Sequence, residues 1–271
     1  MTSAQKVIKY LAIAFASSLV VAIITGILSL LYILTGILGL SENNEVSSRE
    51  MDITTFENTE FDTLDIEVAY TNLTIKKSDS LKMETTNNNI KLNQENKELQ
   101  IKEKSHRVFS ADESQELILY IPEGLEFEKV KISAGAGKIN IENLKTERLV
   151  FELGAGETEI KSLNVTDDCK IEGGAGKLSI ESGEINDLKL DMGVGEINLN
   201  TILTGKNEIN AGVGNLNIHL QDSKENYAIQ IEKGIGNVKI DEKDFSNSEI
   251  YGNGPNFIDV NGGIGNIEID F

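Results

Sequence analysis

One pattern of apolar and polar residues recurs seven times in the C-terminal half of the chain: Gly-x-Gly, a polar residue, and an apolar–polar–apolar segment. The copies follow each other at intervals of 19, 20, 19, 19, 22 and 29 residues. Repeats of about 20 residues are typical of solenoids, in which each unit buries its apolar side against its neighbours. We therefore expect each copy to rest on the copy before it. The paired glycines are Gly135 and Gly137, Gly154 and Gly156, Gly174 and Gly176, Gly193 and Gly195, Gly212 and Gly214, Gly234 and Gly236, and Gly263 and Gly265.

Within each copy, apolar residues alternate with polar ones, which is the pattern of a strand with one face in a core and one in water. Before the first glycine they stand at the fifth, third and first positions back, as in Val130, Ile132 and Ala134. After the pair they continue, as in Ile139 and Ile141. The sequence predicts an all-β, single-stranded β-solenoid with coils of 19–22 residues, each with two strands joined at a glycine corner. A looser third side is expected near Leu144, Leu163 or Ile202.

Equivalent residues of adjacent coils should lie about 4.8 Å apart, so each position of the repeat forms a column. The position after the glycine pair carries four alternating charges and then three amides, which can pair along a column. We interpret it as a polar surface ladder and as the candidate working face; a surface that is simply solvated is the alternative. The ladder consists of Lys138, Glu157, Lys177, Glu196, Asn215, Asn237 and Asn266.

The residue between the two glycines grows in volume along the chain. It is alanine in three copies, then valine in two, then isoleucine in two. We interpret this series as an inward-facing column in a core that widens towards the C-terminus. Its members are Ala136, Ala155, Ala175, Val194, Val213, Ile235 and Ile264.

Residues 53–130 are rich in strand patterns but irregular, and we assign them to the N-terminal part or cap of the solenoid. Val68–Ile75 and Asn87–Leu92 look like copies that have lost their glycines, and Glu116–Gly124 is a strand followed by a turn.

The regular repeats occupy residues 131–271, and the last copy runs directly into Phe271. We expect an uncapped strand edge at this end, where Glu268 and Asp270 are the only charges that would deter pairing with another strand.

The chain has no charged residue between Val7 and Leu40, a longer run than the roughly 20 apolar residues that a helix needs to cross a bilayer. We predict a transmembrane helix within residues 7–40, a cytoplasmic N-terminus at residues 1–6 and an acidic linker at residues 41–52. Lys6 and Lys9 precede the helix, and acidic residues dominate after it. The positive-inside rule then places the C-terminal domain outside a bacterial cytoplasmic membrane.

Small residues recur at every fourth position of this helix, at Ala14, Ser18, Ala22 and Gly26. Such a face lets two transmembrane helices approach closely, so self-association is one option and simple anchoring the other. The apolar run is longer than the roughly 7–15 residues of a cleavable signal peptide, and we expect an uncleaved signal anchor.

The repeats resemble a bacterial family of β-strand-repeat proteins of unknown function, often described as candidate adhesins. The resemblance is carried by Tyr120–Gly124, by Val130–Leu144 and by the copies that follow, and it covers approximately Ile53–Phe271. Some relatives with an anchor and repeats are accessory proteins of Lia-type envelope-stress operons. The resemblance implies a role in the cell envelope and implies no catalytic residues.

Composition narrows the choice of function. The formal net charge of −19 repels phosphate backbones, so we expect no nucleic-acid partner. The single cysteine, Cys169, stands where neighbouring copies have leucine, and we expect a core residue with no disulfide. His106 and His219 have no patterned partner, and His219 should face solvent.

Known glycine-rich ligand motifs do not fit. Calcium-binding nonapeptide repeats need an aspartate two residues after the second glycine, where this chain has aliphatic residues in six copies and Thr158 in the seventh. A nucleotide-binding loop needs a third glycine or Gly-Lys-Ser/Thr. We expect no cofactor, no metal and no catalytic residue. Asp167 beside Asp168, or Glu225 beside Lys224, are the acidic pairs that an enzyme would use.

The sequence thus favours a non-enzymatic, single-pass membrane protein of the cell envelope that acts as an adhesin-like element, scaffold or stress accessory, with wall polymer or envelope proteins as partners. Two alternatives stay open. One is a glycan-active enzyme on a β-helix scaffold, and the other is a regulator that acts on a membrane sensor through its transmembrane helix.

Overall fold

The alternating segments form β-strands throughout the part of the chain that the computed structural model describes, which is residues 51–57, 60–104, 115–245 and 250–271. The first ten strands are β1 (Asp52–Thr55), β2 (Thr63–Val68), β3 (Asn72–Ser78), β4 (Lys82–Thr85), β5 (Ile90–Glu95), β6 (Glu98–Glu103), β7 (Glu116–Pro122), β8 (Phe127–Ile141), β9 (Leu144–Ile160) and β10 (Leu163–Ile180). The others are β11 (Gly183–Asn186), β12 (Leu188–Thr204), β13 (Lys206–Leu220), β14 (Tyr227–Ile235), β15 (Val238–Ile240), β16 (Lys243–Asp244), β17 (Ile250–Gly252), β18 (Asn256–Ile264) and β19 (Ile267–Asp270).

Consecutive copies of the repeat stack in parallel and in register. Between β9 and β10, Phe151 lies opposite Ile171 and Ile160 opposite Ile180. The third side is also paired, because Leu144 lies opposite Leu163. Within the described ranges the only helix is one 3-10 turn at Lys224–Asn226. The predicted all-β solenoid is therefore confirmed.

The core lies between the two strands of each coil and the third side. Side chains at the third position before the glycine pair are all buried, and so are those at the fourth and sixth positions after its first glycine, Thr158 among them. Burying one leucine or isoleucine contributes about 1.5–3 kcal/mol, so the stack is held mainly by these columns. The third-position column is Ile132, Phe151, Ile171, Leu190, Ile209, Val260 and Ile231, given in stack order.

The order of layers at the C-terminal end differs from the order of the chain. Strand β18 pairs in parallel with β13, where Glu208 lies opposite Asp259. Its other edge pairs with β14, where Asp259 lies opposite Gln230. The last segment of the chain is therefore inserted between two earlier layers. The expectation that each copy rests on the one before it holds as far as Gly212 and is wrong for the last two copies.

The N-terminal end has the same arrangement. Strands β2 and β3 pair with β8, with Val68 opposite Ala134 and Leu73 opposite Ile139, so Val68–Ile75 is a copy without glycines. Strands β6 and β7, which follow β2 and β3 in sequence, cover their other edge and form the outermost layer. Asn87–Leu92 is not such a copy, because β5 pairs antiparallel with β6.

Antiparallel strands cover much of both outer edges. At the N-terminal end, β5 pairs with β6 and β4 with β7. At the C-terminal end, β17 pairs with β14 and β16 with β15. The expectation of an uncapped last copy is wrong, because β19 is an inner strand that pairs with both β13 and β15. Such coverage limits pairing with other chains.

The predicted membrane segment at residues 7–40, with Ala14, Ser18, Ala22 and Gly26, lies outside the described residues, as does the linker up to residue 50. Among the residues that are described, no helix has the length and apolar character to span a bilayer.

Candidate functional site

The seven glycine pairs lie in two rows along one corner of the stack. Gly137 lies opposite Gly156, Gly156 opposite Gly176, and Gly176 opposite Gly195. In stack order the pairs begin at Gly135, Gly154, Gly174, Gly193, Gly212, Gly263 and Gly234.

The second glycine of each pair has a positive φ angle. At Gly214 the φ angle is +142°, a backbone conformation that side-chain-bearing residues rarely adopt. A Cβ atom built there would also overlap the carbonyl oxygen of Gly195 in the layer beneath. The repeat therefore needs glycine for both its backbone angle and its close stacking.

The ladder residues lie next to this corner, in the column that the sequence indicates. Lys138 Nζ is 2.9 Å from Glu157 Oε2, and this hydrogen-bonded pair raises the pKa of Lys138 and lowers that of Glu157. At the other end, Asn266 Nδ2 donates to Asn215 Oδ1 at 3.4 Å. The order of the amides is Asn215, Asn266 and Asn237, since the layers are inserted as described above.

The residues between the two glycines are half-buried where they are alanine and exposed where they are larger, so the predicted inward column is wrong. We call this row the ridge. Its four larger members are Val194, Val213, Ile264 and Ile235, all exposed. The alternation that points Ile132 inward does not continue through the corner: the residues just before the first glycine are already only partly buried, and the second glycine has a positive φ angle. The inward positions resume two residues after that glycine, as at Leu216.

A groove of about 990 Å³ runs along the other side of the ridge. Its floor is formed by the first glycines and by the residues just before them, which include Leu153, Met192 and Ala211. These side chains are only partly buried, so they line the groove although the sequence indicated core positions. Glycine at position 173 leaves the groove open, because a Cβ atom on Gly173 would occupy its floor, 3.4 Å from the Met192 side chain.

Acidic and amide side chains form one wall of the groove. Glu152 accepts hydrogen bonds from Ser133 and Lys131, which lower its pKa, and Glu172 pairs with Lys170 at 2.7 Å. The wall continues as a row of amides, in which Asn210 donates to Asp191 at 2.6 Å and Asn261 donates to Asn210 at 2.9 Å. This wall was not predicted from the sequence. Its signal was the row of polar residues two positions before each glycine pair.

The family model described as Toastrack DUF4097 matches residues 45–254, most of the chain. The chain belongs to the Toastrack family. The resemblance that the YIPEG turn and the repeats carry is thereby confirmed.

Solved structures similar to this Toastrack chain include three with low sequence identity. A proposed cell adhesion protein of Clostridium sporogenes is 20% identical, with a TM-score of 0.36; the match covers 82% of this chain and 98% of that one. A proposed adhesin of Bacteroides fragilis is 15% identical, with a TM-score of 0.49 and coverages of 82% and 98%. A proposed lipid-binding protein of Parabacteroides distasonis is also 15% identical, with a TM-score of 0.38 and coverages of 82% and 97%. No curated protein matches the chain.

The acidic pairs that could serve an enzyme do not line the groove of this Toastrack solenoid. Asp167 and Asp168 are exposed, and Asp167 lies 3.6 Å from Arg148 Nη1. Glu225 accepts a hydrogen bond from Ser223 on the exposed 3-10 turn with Lys224.

The cysteine and the histidines contribute no reactive group to the corner. Cys169 is fully buried, and burial raises the pKa of its thiol. His219 is exposed, as expected, and His106 lies outside the described residues. Over the described ranges, no three His, Cys, Asp or Glu side chains are placed to hold a metal ion together.

Asp259 is a partly buried carboxylate on β18 of the Toastrack stack. Burial and the charges of Glu232 and Glu208 raise its pKa above the ordinary value, and its buried Oδ1 accepts no hydrogen bond from the described residues. The folded protein therefore binds a proton on the Asp259 carboxylate more tightly than the unfolded chain does. The group favours folding at acid pH and weakens the fold as pH rises through the raised pKa.

We expect Asp259→Asn to stabilise the protein at pH 7 by a few tenths of a kcal/mol to about 1 kcal/mol, the range for partly exposed charges. The gain should shrink as the pH falls below the pKa of an ordinary aspartate. Thermal melts of both proteins between pH 3 and pH 8 measure this difference. A gain that grows towards acid pH would contradict the assignment.

Proposed function

We propose that this Toastrack protein is a non-enzymatic, membrane-anchored β-solenoid on the outer side of a bacterial cytoplasmic membrane. Its corner surface, which comprises the ladder, the ridge and the groove, binds other components of the cell envelope as an adhesin or scaffold does.

The observation that carries this proposal is the continuity of the corner surface over seven layers. Each layer repeats the same polar, apolar and polar positions at a rise of about 4.8 Å. Extended surfaces of this kind are what solenoid proteins use to bind elongated partners. A groove open along its length accepts a chain that continues in both directions, which suits a wall polymer or an extended protein segment.

The chemistry of the groove supports recognition more than catalysis. Its carboxylates already have partners in their own chain, as Glu152 has Lys131 and Asp191 has Asn210. General acid–base catalysis requires a carboxyl group with a suitable pKa within reach of the substrate, and the pKa of Glu152 is lowered. The amides of Asn210 and Asn261 can donate to and accept from hydroxyl and amide groups of a partner.

The anchor is supported by the uncharged run Val7–Leu40 and by the charge difference across it. Protease added to intact protoplasts should digest the solenoid while an N-terminal fragment stays with the membrane. A solenoid that is digested only after lysis would contradict the proposed orientation.

Binding is tested with the full chain and its Lys138→Glu/Lys177→Glu variant, which reverses the two positive charges of the ladder. We expect the variant to recover at least about ten-fold less wall polymer or envelope protein from envelope fractions, a loss of about 1.4 kcal/mol. Lys161→Glu/Lys206→Glu makes the same change of charge at exposed sites away from the corner and should bind like the wild type. Equal binding by all three proteins would remove the ladder from the proposal.

A further inference from the structure

The ridge is a continuous apolar row on an acidic protein. The exposed fraction rises along the stack from 36% at Val194 and 45% at Val213 to 52% at Ile264 and 71% at Ile235. Each of these side chains is flanked by two glycines, so no neighbouring side chain in its own layer shields it. Large apolar side chains in an unbroken exposed row mark interaction surfaces.

The ridge also has a gradient of size that the core does not explain. In stack order its members are Ala136, Ala155, Ala175, Val194, Val213, Ile264 and Ile235. The small half and the large half are of equal length, and Val194 stands at the centre. Since the larger members face solvent, core packing does not account for this order.

We propose that a second copy of this chain covers the ridge, with the two stacks antiparallel and Val194 on the two-fold axis. Ala136 then lies opposite Ile235 of the second copy, and Ala155 opposite Ile264. Ala175 lies opposite Val213, and Val194 meets its own equivalent. Away from the axis each larger side chain faces an alanine, so the summed volume changes little along the interface, as close packing requires. A two-fold dimer uses the same surface on both copies, which such a self-complementary row satisfies.

The polar rows beside the ridge agree with the same arrangement. On the ladder side, Lys138 lies opposite Asn237, Glu157 opposite Asn266 and Lys177 opposite Asn215. On the groove side, Glu152 lies opposite Asn261 and Glu172 opposite Asn210. Charged side chains from one half thus meet amides from the other half, and amides can donate to carboxylates and accept from ammonium groups.

Like charges meet only at the centre of these rows, at Glu196 and Asp191. Each of these carboxylates accepts a hydrogen bond of 2.6 Å from an amide of its own chain, Asn198 and Asn210 respectively. Their repulsion is screened by salt, so the dimer should form more readily as ionic strength rises.

A parallel arrangement of the two stacks fits less well. It would place Ile235 on Ile235 and Ala136 on Ala136, so that contact at one end would leave a gap at the other. It would also bring the groove wall of one copy against the ladder of the other, with Glu152 near Glu157 and Asp191 near Glu196. The antiparallel arrangement avoids both problems.

The size of the surface indicates a weak dimer. Seven layers at about 4.8 Å per step give a length of about 29 Å. A width of about 20 Å across the flanking rows then gives roughly 1,200 Å² for both copies together, at the lower end of specific interfaces. Tyr70, 59% exposed, occupies the same column one layer before Ala136 and extends the surface beyond Ile235 of the second copy. Anchoring many copies in one envelope would compensate for weak affinity.

The inference rests on the proposed role of the corner as a binding face, and it names the partner. It is tested by thiol cross-linking of the full-length chain carrying Val194→Cys, because the single native cysteine is fully buried. We expect a short thiol-to-thiol reagent to give several-fold more covalent dimer from Val194→Cys than from Lys239→Cys. Residue 239 is exposed in the last layer, far from the two-fold axis.

Exchanging the small and the large side chain of one facing pair, Ala136 and Ile235, makes the test specific. Adding Ala136→Ile to Val194→Cys should reduce the yield of dimer about ten-fold, because the new side chain collides with Ile235 of the second copy. Adding Ile235→Ala as well should restore the yield. Thr166→Ile, which adds a similar side chain on another face, should leave the yield unchanged.

Two results would overturn the inference: a yield from Val194→Cys no higher than that from Lys239→Cys, or a yield that stays low when Ile235→Ala is added. If either occurs while Lys138→Glu/Lys177→Glu still loses envelope partners, only the self-association is wrong and the binding role of the corner stands. If envelope binding is unaffected while the volume exchange behaves as expected, the ridge dimer stands and the ladder binds no other envelope component.

Discussion

Gly214→Ala should destabilise the protein by about 3–5 kcal/mol, or prevent folding altogether. The positive φ of this residue alone costs about 1–3 kcal/mol for alanine. The Cβ atom would also overlap the carbonyl oxygen of Gly195, and this backbone is held by the parallel hydrogen-bonded pairing of β12 with β13. The two layers cannot separate locally without breaking those hydrogen bonds, so the strain spreads through the stack. Denaturant unfolding of the full chain measures the loss.

Gly124→Ala is the matched control for this prediction. Its φ angle is not positive, and a Cβ atom built on Gly124 has no neighbour within 4 Å. We expect a change within about 0.5 kcal/mol, the usual range for surface substitutions. Equal effects of the two substitutions would contradict the close stacking of the corner.

Deletion of residues 256–271 should remove more structure than the deleted segment itself. The layer that precedes this segment in sequence should also become accessible. Strands β18 and β19 lie between β13 on one side and β14 with β15 on the other. Without them β14 and β15 lose their parallel partners β18 and β19, and the aromatic contacts of Phe271 with Tyr227 and Tyr251 are lost as well. Residues 227–252 should then be cut rapidly by protease.

Limited proteolysis followed by mass spectrometry distinguishes this arrangement from stacking in chain order. If layers followed the sequence, the deletion would remove only the outermost layer and leave Tyr227–Ile240 protected. Glu268→Ala changes an exposed residue of β19 and should leave the digestion pattern of the full chain unchanged.

The strands and their register could be predicted because each copy carries its own signal. Alternation identifies the buried positions, and the glycine pairs fix which residues lie opposite each other in adjacent layers. The order of the layers could not be predicted in this way, because every layer presents the same corner and accepts any other as a neighbour. The only signal was the change in spacing, from 19 or 20 residues between the first five copies to 22 and 29 between the last three.

The corner surface was predicted in part. The ladder lies where the repeat places it, and Lys138 pairs with Glu157 in the adjacent layer. The ridge was assigned to the wrong side, because its increase in side-chain volume was interpreted as a widening core, whereas its larger members are exposed. The groove was missed because Leu153 and Met192 were assigned to the core. An apolar–polar pattern does not distinguish a partly buried side chain from a fully buried one.

Amide hydrogen exchange over the full chain tests most directly whether the glycine corners form one stack with the last segment inserted. We expect Asn256–Ile264 to exchange about as slowly as Leu188–Thr204, because both lie between two neighbouring layers. Exchange should be faster in Tyr227–Ile235, which forms the outermost parallel layer at this end. Early exchange of Asn256–Phe271, before Tyr227–Ile240, would contradict the inserted position of the last segment.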